Sequence, residues 1–227
     1  EIPVSFTNLS NLKSFHIENN REITGPILDM ATWSWPRITL LSFSNTAITG
    51  TVPTTIGLLT DLAFLYAGDS TIRGSIPSEM GLLTKLSRLR LSGSIEGTLP
   101  STIQNCASLV DVDLLFNDII GTLPPDLSRL AAIEYIFLGR NKLMGTLPPE
   151  WKDLDNLVLL SLQRNNLSGS IPESWSSLTK LKVLSIHENP AMTGTIPSAL
   201  CSSVDTIQWG CNLVCDCCAS DCIQPKD

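Results

Sequence analysis

The segment LVLLSLQRNNLSGSIP, residues 157–172, decides the fold. In this segment Leu160 and Leu162 alternate with the polar Ser161 and Gln163, which is the period-two pattern of a half-buried β-strand. A strand this short is not stable on its own. It therefore has to pair with other strands, and copies of the same segment elsewhere in the chain are the expected partners.

The residues that follow this strand predict how one unit closes. Asn165 has a side-chain amide that can satisfy backbone groups exposed where the strand ends. Gly169 allows a backbone conformation with positive φ, which other residues rarely adopt. Pro172 suits the first position of a short helical turn, and the apolar Trp175 and Leu178 come after it. The unit is therefore a strand, a turn and a short helical piece.

The same unit recurs along the chain. Gly-x-x-Pro, or a near relative of it, starts at intervals of 23 to 25 residues, at Gly25, Gly50, Gly74, Gly97, Gly121, Gly145, Gly169 and Gly194. The opening Glu1-Ile2-Pro3 is the end of one more copy, so we expect the natural N-terminus to lie before it. A fixed period of this length indicates stacked repeats, none of which can bury its apolar face alone.

The repeat resembles the plant-type, 24-residue form of the leucine-rich repeat. Thr46 and Ser70 replace the asparagine in two early copies, but the resemblance covers nearly all of residues 1–200. It implies an α/β fold: a right-handed leucine-rich repeat solenoid with a parallel sheet on the concave face and short helical turns on the convex face. About eight repeats, the first one partial, are expected in residues 1–200. Their strands should centre near Phe15, Leu41, Leu65, Leu89, Val112, Ile136, Leu160 and Leu184.

Residues 201–227 are expected to form a Cys-rich C-terminal cap over the last apolar layer of the solenoid. Such a short segment has little core of its own, so disulfide bonds are the favoured reinforcement. Three bridges would use Cys201, Cys211, Cys215, Cys217, Cys218 and Cys222. A zinc site built from the last four cysteines is the alternative, although paired C-x2-C spacing and a nearby histidine are missing. Cys106 is expected to be reduced and buried.

Several features indicate an oxidising compartment. The tail Cys215-Asp216-Cys217-Cys218 and the recurring Gly-Leu-Leu-Thr of residues 57–60 and 81–84 resemble secreted leucine-rich repeat proteins of diatoms and related algae. Two sequons predict N-glycosylation at Asn8 and Asn166. Together with the expected disulfides, they predict a protein that is secreted, displayed on the cell surface or held in another oxidising lumen.

Charge and motifs exclude other classes of function. The net charge of −7 argues against binding nucleic acid, and no apolar run is long enough to insert this segment into a membrane. His16 and His187 would be separated by seven strand spacings, roughly 30 Å, so they cannot share a site. Asp111 and Asp113 lie beside arginines that would keep both carboxylates ionised. We therefore expect no enzyme activity, no cofactor and no metal.

The outward positions of the predicted strands form columns across the concave sheet. Aromatic residues and arginine are frequent anchors of protein interfaces, and they cluster on four successive strands. The predicted ligand-binding residues are Phe64 and Tyr66, then Arg88 and Arg90, then Asp111 and Asp113, then Tyr135 and Phe137. The alternative is that these residues are ordinary surface residues of the sheet and bind no ligand. Arg88 would then pair with Asp111 and Arg90 with Asp113.

Two classes of function remain. The first is an extracellular or lumenal interaction module that binds a protein, peptide or glycan through its concave sheet. The second is a structural or assembly subunit of a larger surface or lumenal complex, with no free ligand. Size-exclusion chromatography of the native protein would distinguish them, since a free monomer favours the first class and a stable complex the second.

Overall fold

The computed structural model describes residues 6, 8–26 and 35–216. Nine short strands form one parallel sheet, and each is hydrogen-bonded to the strand one repeat away. They are Ser14–His16, Leu40–Ser42, Phe64–Ala67, Arg88–Leu91, Asp111–Asp113, Tyr135–Phe137, Leu159–Ser161, Val183–Ser185 and Thr206–Gln208. The leucine-rich repeat solenoid is confirmed, and we call this nine-stranded sheet the concave sheet.

The first eight of these strands lie where the repeat predicts them. Equivalent residues of successive repeats face each other, so Leu65 pairs with Leu89, and Leu89 with Val112. Thr206–Gln208 is an additional, ninth strand, and it pairs with Val183–Ser185. It lies beyond residue 200, where we expected the cap to begin. The sheet is thus longer by one strand than the eight predicted from the motif.

A second set of parallel strands runs along the flank of the solenoid, and the sequence pattern did not predict it. Five strands form one flank sheet: Thr24–Pro26, Ala47–Thr51, Thr71–Ser75, Ser94–Thr98 and Asp118–Ile120. Three more form another: Met144–Thr146, Asn166–Gly169 and Ala191–Met192. Seven of these eight strands contain or adjoin the glycine of Gly-x-x-Pro, for which the sequence predicted only a positive φ.

The glycine is required at this position for two reasons. Gly121 has φ of +84°, a conformation that strains any residue with a side chain. A Cβ atom at Gly121 would also lie 2.9 Å from Cγ2 of Thr98 in the preceding repeat. Glycine therefore allows successive flank strands to approach closely.

The convex side consists of short helical pieces. Within the described residues, six 3₁₀ turns of five residues each span Thr54–Leu58, Ser78–Leu82, Ser101–Asn105, Pro125–Arg129, Pro149–Asp153 and Glu173–Ser177, and one α-helix spans Ser198–Ser203. Pro172 is extended (ψ of 131°) and precedes its turn rather than occupying the first position. Leu178 closes the same turn by donating its N–H to the carbonyl of Trp175 over 3.0 Å. The predicted convex architecture is confirmed.

The core lies between the concave sheet and the convex turns. Leu160 and Leu162 are fully buried, as the period-two pattern predicts. Trp151 and Trp175 are also fully buried and stack with their ring planes 4° apart. Their indole Nε1–H groups donate to the carbonyls of Pro124 and Pro148, over 3.0 Å and 2.9 Å. Both tryptophans are thus core residues whose polar atoms have partners.

Buried asparagines connect each repeat to its neighbours in the C-terminal half. Asn141 Oδ1 accepts the N–H of Ile119 over 3.0 Å, and its Nδ2 donates to the carbonyls of Leu114 and Leu138 over 2.8 Å and 3.1 Å. Ser70, at the equivalent position of an earlier repeat, donates only to the carbonyl of Ala67. The substitution at Ser70 therefore weakens the connection between repeats without changing the fold.

The cysteines fall into two groups. Cys106 is free and fully buried, as predicted; burial raises the pKa of its thiol to about 11, and Sγ lies 3.3 Å from the carbonyl oxygen of Met80. Near the C-terminus, the sulfur atoms of Cys201 and Cys215 lie 3.8 Å apart. Cys217, Cys218 and Cys222 lie outside the described residues.

Candidate ligand-binding surface

The concave sheet brings the eight predicted residues together. On four adjacent strands, Phe64 pairs in register with Arg88, Arg88 with Asp111, and Asp111 with Tyr135. The second outward position follows the same order. We call the eight residues the central patch: Phe64, Tyr66, Arg88, Arg90, Asp111, Asp113, Tyr135 and Phe137. Their proximity follows from the fixed register, because equivalent positions of successive repeats are adjacent.

One side of the central patch is aromatic. The rings of Phe64 and Tyr66 are half-buried, with centroids 6.2 Å apart and planes tilted by 34°. The guanidinium carbon of Arg90 lies 5.8 Å from the centroid of the Tyr66 ring, within cation–π range. Tyr135 and Phe137 are half-buried on the opposite side. The patch thus has aromatic walls and a charged centre.

The central charges pair differently from the expected lateral pairs. Arg90 Nη2 lies 2.5 Å from Asp111 Oδ2, which makes the pair diagonal, since the in-register neighbour of Arg90 is Asp113. The side chain of Arg90 is 47% exposed and that of Asp111 only 6%. The bond to Asp111 raises the pKa of Arg90, so Arg90 stays charged. Arg88 is exposed and forms no ion pair within the described part of the chain.

The two aspartates of the patch have different surroundings. Asp111 Oδ1 is buried and has no hydrogen-bond partner among the described residues. Burial raises the pKa of Asp113, although the N–H of Leu115, which donates to Oδ1 over 3.2 Å, and the charge of Arg90 act in the opposite direction. The direction of the Asp113 shift is therefore opposite to the one that the arginines alone would produce. Desolvation outweighs the nearby positive charge.

The small residues beside the patch leave less room than the sequence suggested. Gly139, which follows Phe137 by two positions, is buried. A Cβ atom there would lie 2.7 Å from Cδ of Gln163, because the Gln163 side chain lies across the glycine. Gly68 is bordered by the hydroxyl of Ser92, 3.3 Å from such a Cβ. The accessible part of the patch is therefore the outer surface of its rings and of Arg88 and Arg90.

Other outward positions of the sheet are more buried than expected. His16 is exposed, but the His187 side chain is only 13% exposed, and its Nε2 lies 3.7 Å from Glu188 Oε1. Burial lowers the pKa of His187. Ser185 is buried as well and donates to Oε1 of Gln208 over 2.9 Å. Ser185 is thus a structural residue, not a neutral surface position.

Sequence reasoning missed one exposed aromatic residue. Phe116 is 55% exposed, and the guanidinium carbon of Arg140 lies 4.6 Å from its ring centroid. Phe116 has φ of +57°, at a position where other repeats place Asn45, Asp69 or Arg164 in the same conformation. The repeat frame could have identified this position, since it directly precedes the asparagine position of the repeat, here Asn117.

The described residues contain no group of three or more histidine, cysteine or carboxylate side chains arranged to hold a metal ion. Within the same residues, no helix has the length and apolar character needed to cross a membrane. Both sequon asparagines, Asn8 and Asn166, are exposed.

Comparison with known proteins supports the fold directly. The sequence model of the Leucine Rich Repeat family matches residues 156–178. A search of curated protein sequences gives no significant match.

Among solved structures, the chain is similar to the ectodomain of the Arabidopsis thaliana membrane receptor kinase GASSHO1/SCHENGEN3 in complex with CASPARIAN STRIP INTEGRITY FACTOR 2. The identity is 31%, the TM-score is 0.89, and the match covers 95% of this chain and 26% of that one. It is also similar to the plant peptide hormone receptor RGFR1 in complex with RGF2, with 30% identity, a TM-score of 0.86, and 94% and 34% of the two chains covered.

A TDR receptor is a third similar structure, with 29% identity, a TM-score of 0.85, and 94% and 37% of the two chains covered. This chain therefore spans about a quarter to just over a third of the length of these receptor structures. The similarity extends through nearly all of this chain's repeats but through only part of each receptor's.

Proposed function

We propose that this chain is a protein-interaction module that binds a protein or peptide ligand through the central patch. The observation that carries the proposal is Arg88, an exposed cation without an ion pair among the described residues. Its neighbour Arg90 is already neutralised by Asp111. Aromatic rings lie on both sides, so a ligand with a carboxylate and an apolar group can engage Arg88 and a ring together.

Two similar structures support a peptide as the ligand. The GASSHO1/SCHENGEN3 ectodomain is in complex with CASPARIAN STRIP INTEGRITY FACTOR 2, and RGFR1 is a peptide hormone receptor in complex with RGF2. This chain spans only part of each receptor. Its ligand and its cellular compartment are therefore proposals of our own. A glycan is the other ligand class that the rings would suit.

The proposed setting is extracellular or lumenal, on an oxidising secretory route. Two exposed sequons and the cluster of cysteines near the C-terminus support it. We propose that residues 201–227 form a cap held by three disulfides among the six predicted cysteines. The contact between the sulfur atoms of Cys201 and Cys215, 3.8 Å apart, supports such a clustered arrangement. Bridges would compensate for the small core of so short a segment.

A displayed random-peptide library, selected against the purified chain, tests the proposal. For the selected peptides, truncating Tyr66 or Phe137 to alanine should weaken binding by more than about 1 kcal/mol, as interface anchors do. Arg88→Glu should abolish binding of acidic peptides. Arg88 is a better charge to reverse than Arg90, because Arg90 already has a partner within the chain.

The control is Val183→Ala, at a half-buried outward position two strands beyond Tyr135. It should leave binding unchanged. If all three patch variants bind every selected peptide normally, the ligand site lies elsewhere and the proposal is wrong. A stable complex on size-exclusion chromatography of the native protein would instead favour the structural-subunit function.

A further inference from the structure

Two apolar side chains are exposed on the flank of the solenoid in adjacent repeats. Ile120 and Met144 are 46% and 49% exposed. They lie where the five-stranded flank sheet ends and the three-stranded one begins; Met144 forms an isolated bridge to Thr122 there. Ile120 and Met144 each directly precede the Gly-x-x-Pro glycine of their repeat, Gly121 and Gly145, so they occupy equivalent exposed positions in adjacent repeats. We call these two side chains the flank pair.

The charged and aromatic neighbours of the flank pair have partners already. Lys142 Nζ lies 2.7 Å from Asp118 Oδ1, and Arg140 stacks on the ring of Phe116. Exposed apolar side chains beside such satisfied groups offer little for a charged partner to recognise. They are better suited to a bulky, largely uncharged group that lies over them.

An attachment point for such a group lies directly beside Met144. Asn166 is the in-register partner of Met144 on the neighbouring parallel strand, so their Cα atoms are about 4.8 Å apart and their side chains share a face. The Asn166 N–H donates to the carbonyl of Leu143 over 2.7 Å, which fixes the backbone, while the residue itself is exposed. Asn166-Leu167-Ser168 is a sequon.

We propose that Asn166 carries an N-linked glycan whose first sugars lie over Met144 and Ile120. The C–H face of a sugar ring can pack on the flank pair while its hydroxyl groups stay in water. The glycan would make this flank hydrophilic and too bulky for a protein partner, which leaves the central patch open. This inference rests on the secretory setting of the proposed function and deepens it by assigning one face of the solenoid.

Methionine oxidation tests the proposal. The chain is secreted from a eukaryotic host, glycopeptide mass spectrometry measures occupancy at Asn166, and hydrogen peroxide then oxidises exposed methionines. In Asn166→Gln, which lacks the glycan, Met144 should oxidise several-fold faster than in the wild type. Ser168→Ala removes the same sequon by another route and should behave alike. Met80 and Met192 are fully buried and serve as unreactive internal references.

The matched control is Asn8→Gln, which removes the other sequon and should leave the Met144 oxidation rate unchanged. The proposal is overturned if Asn166 is unoccupied in the secreted protein, or if it is occupied and Met144 oxidises equally fast with and without the glycan. Selected peptides should bind Asn166→Gln as tightly as the wild type. Failure of the glycan and failure of the central patch are therefore measured separately.

Discussion

Replacing Asn141 by alanine should test whether the buried asparagines hold the repeats together. The carbonyls of Leu114 and Leu138 would each keep a second donor, because Asn117 and Asn165 also donate to them over 3.0 Å. The N–H of Ile119 bonds to Asn141 Oδ1, and Ile119 is 1% exposed. The substitution therefore leaves one buried donor unsatisfied.

The magnitude follows from these bonds. An unsatisfied buried N–H costs about 1–3 kcal/mol, and each bond lost to a carbonyl that keeps another donor costs about 0.5–1 kcal/mol. The expected loss in free energy of unfolding is thus about 2–5 kcal/mol. Ser70→Ala is the matched control: it removes a single bond, to the carbonyl of Ala67, and should cost only about 0.5–1.5 kcal/mol.

Urea unfolding followed by tryptophan fluorescence measures both losses, and Trp151 lies in the same repeat as Asn141. Repeat proteins can unfold in stages, so hydrogen exchange of the Ile119 amide provides a local measurement. Its protection should fall more than that of amides near the N-terminus. If Asn141→Ala costs no more than Ser70→Ala at an unchanged m-value, the asparagine does not stabilise the contact between repeats.

Three further predictions follow from single positions. Gly121→Ala should lower the free energy of unfolding by about 1–3 kcal/mol, because alanine is strained at φ of +84°; adding Thr98→Ser removes the steric contact and should restore only part of the loss in urea unfolding. The lowered pKa of His187 means that the folded state disfavours protonation of this side chain. Its contribution to stability is therefore present above pH 6.5 and is lost as the pH falls through the lowered pKa. His187→Gln should make the melting temperature depend less on pH over that range. Cys106 should react with iodoacetamide only after unfolding, and non-reducing mass spectrometry should then find three disulfides among the other six cysteines; a native protein alkylated at Cys106 would contradict this.

Strand positions and register were predictable from the sequence because the period of two within each strand recurs at the 23- to 25-residue spacing of Gly-x-x-Pro. The alternation of Leu160 and Leu162 with polar residues places each strand, and the fixed spacing of Gly-x-x-Pro then aligns every copy with the next. The proximity of the eight patch residues follows without further information. The repeat fixes the position of each outward side chain in its strand, and the repeat can be read from the sequence.

Some features were not predicted because they depend on the conformation of a long side chain. Others depend on a second structural role of the Gly-x-x-Pro motif. Gly121 permits positive φ, which suggested a turn, yet the same glycine allows flank strands to pair closely. Arg90 is long and flexible enough to reach diagonally to Asp111, so column positions alone could not identify its partner. The His187 side chain is largely buried and lies beside Glu188. The pattern of outward positions does not predict this burial.

The Arg90–Asp111 pair also bears on whether the central patch is a ligand-binding site or an ordinary surface of the sheet. Arg90 is 47% exposed, so solvent screens its charge, while Asp111 is almost fully buried with Oδ1 unsatisfied. A half-screened pair of this kind stabilises a protein little, and the buried carboxylate opposes folding. The pair's clearer effect is geometric, because the guanidinium of Arg90 lies beside the Tyr66 ring and Arg88 is left as the cation of the patch without an ion pair among the described residues. Since the Arg90–Asp111 pair contributes little to stability, we propose that the arrangement serves ligand binding.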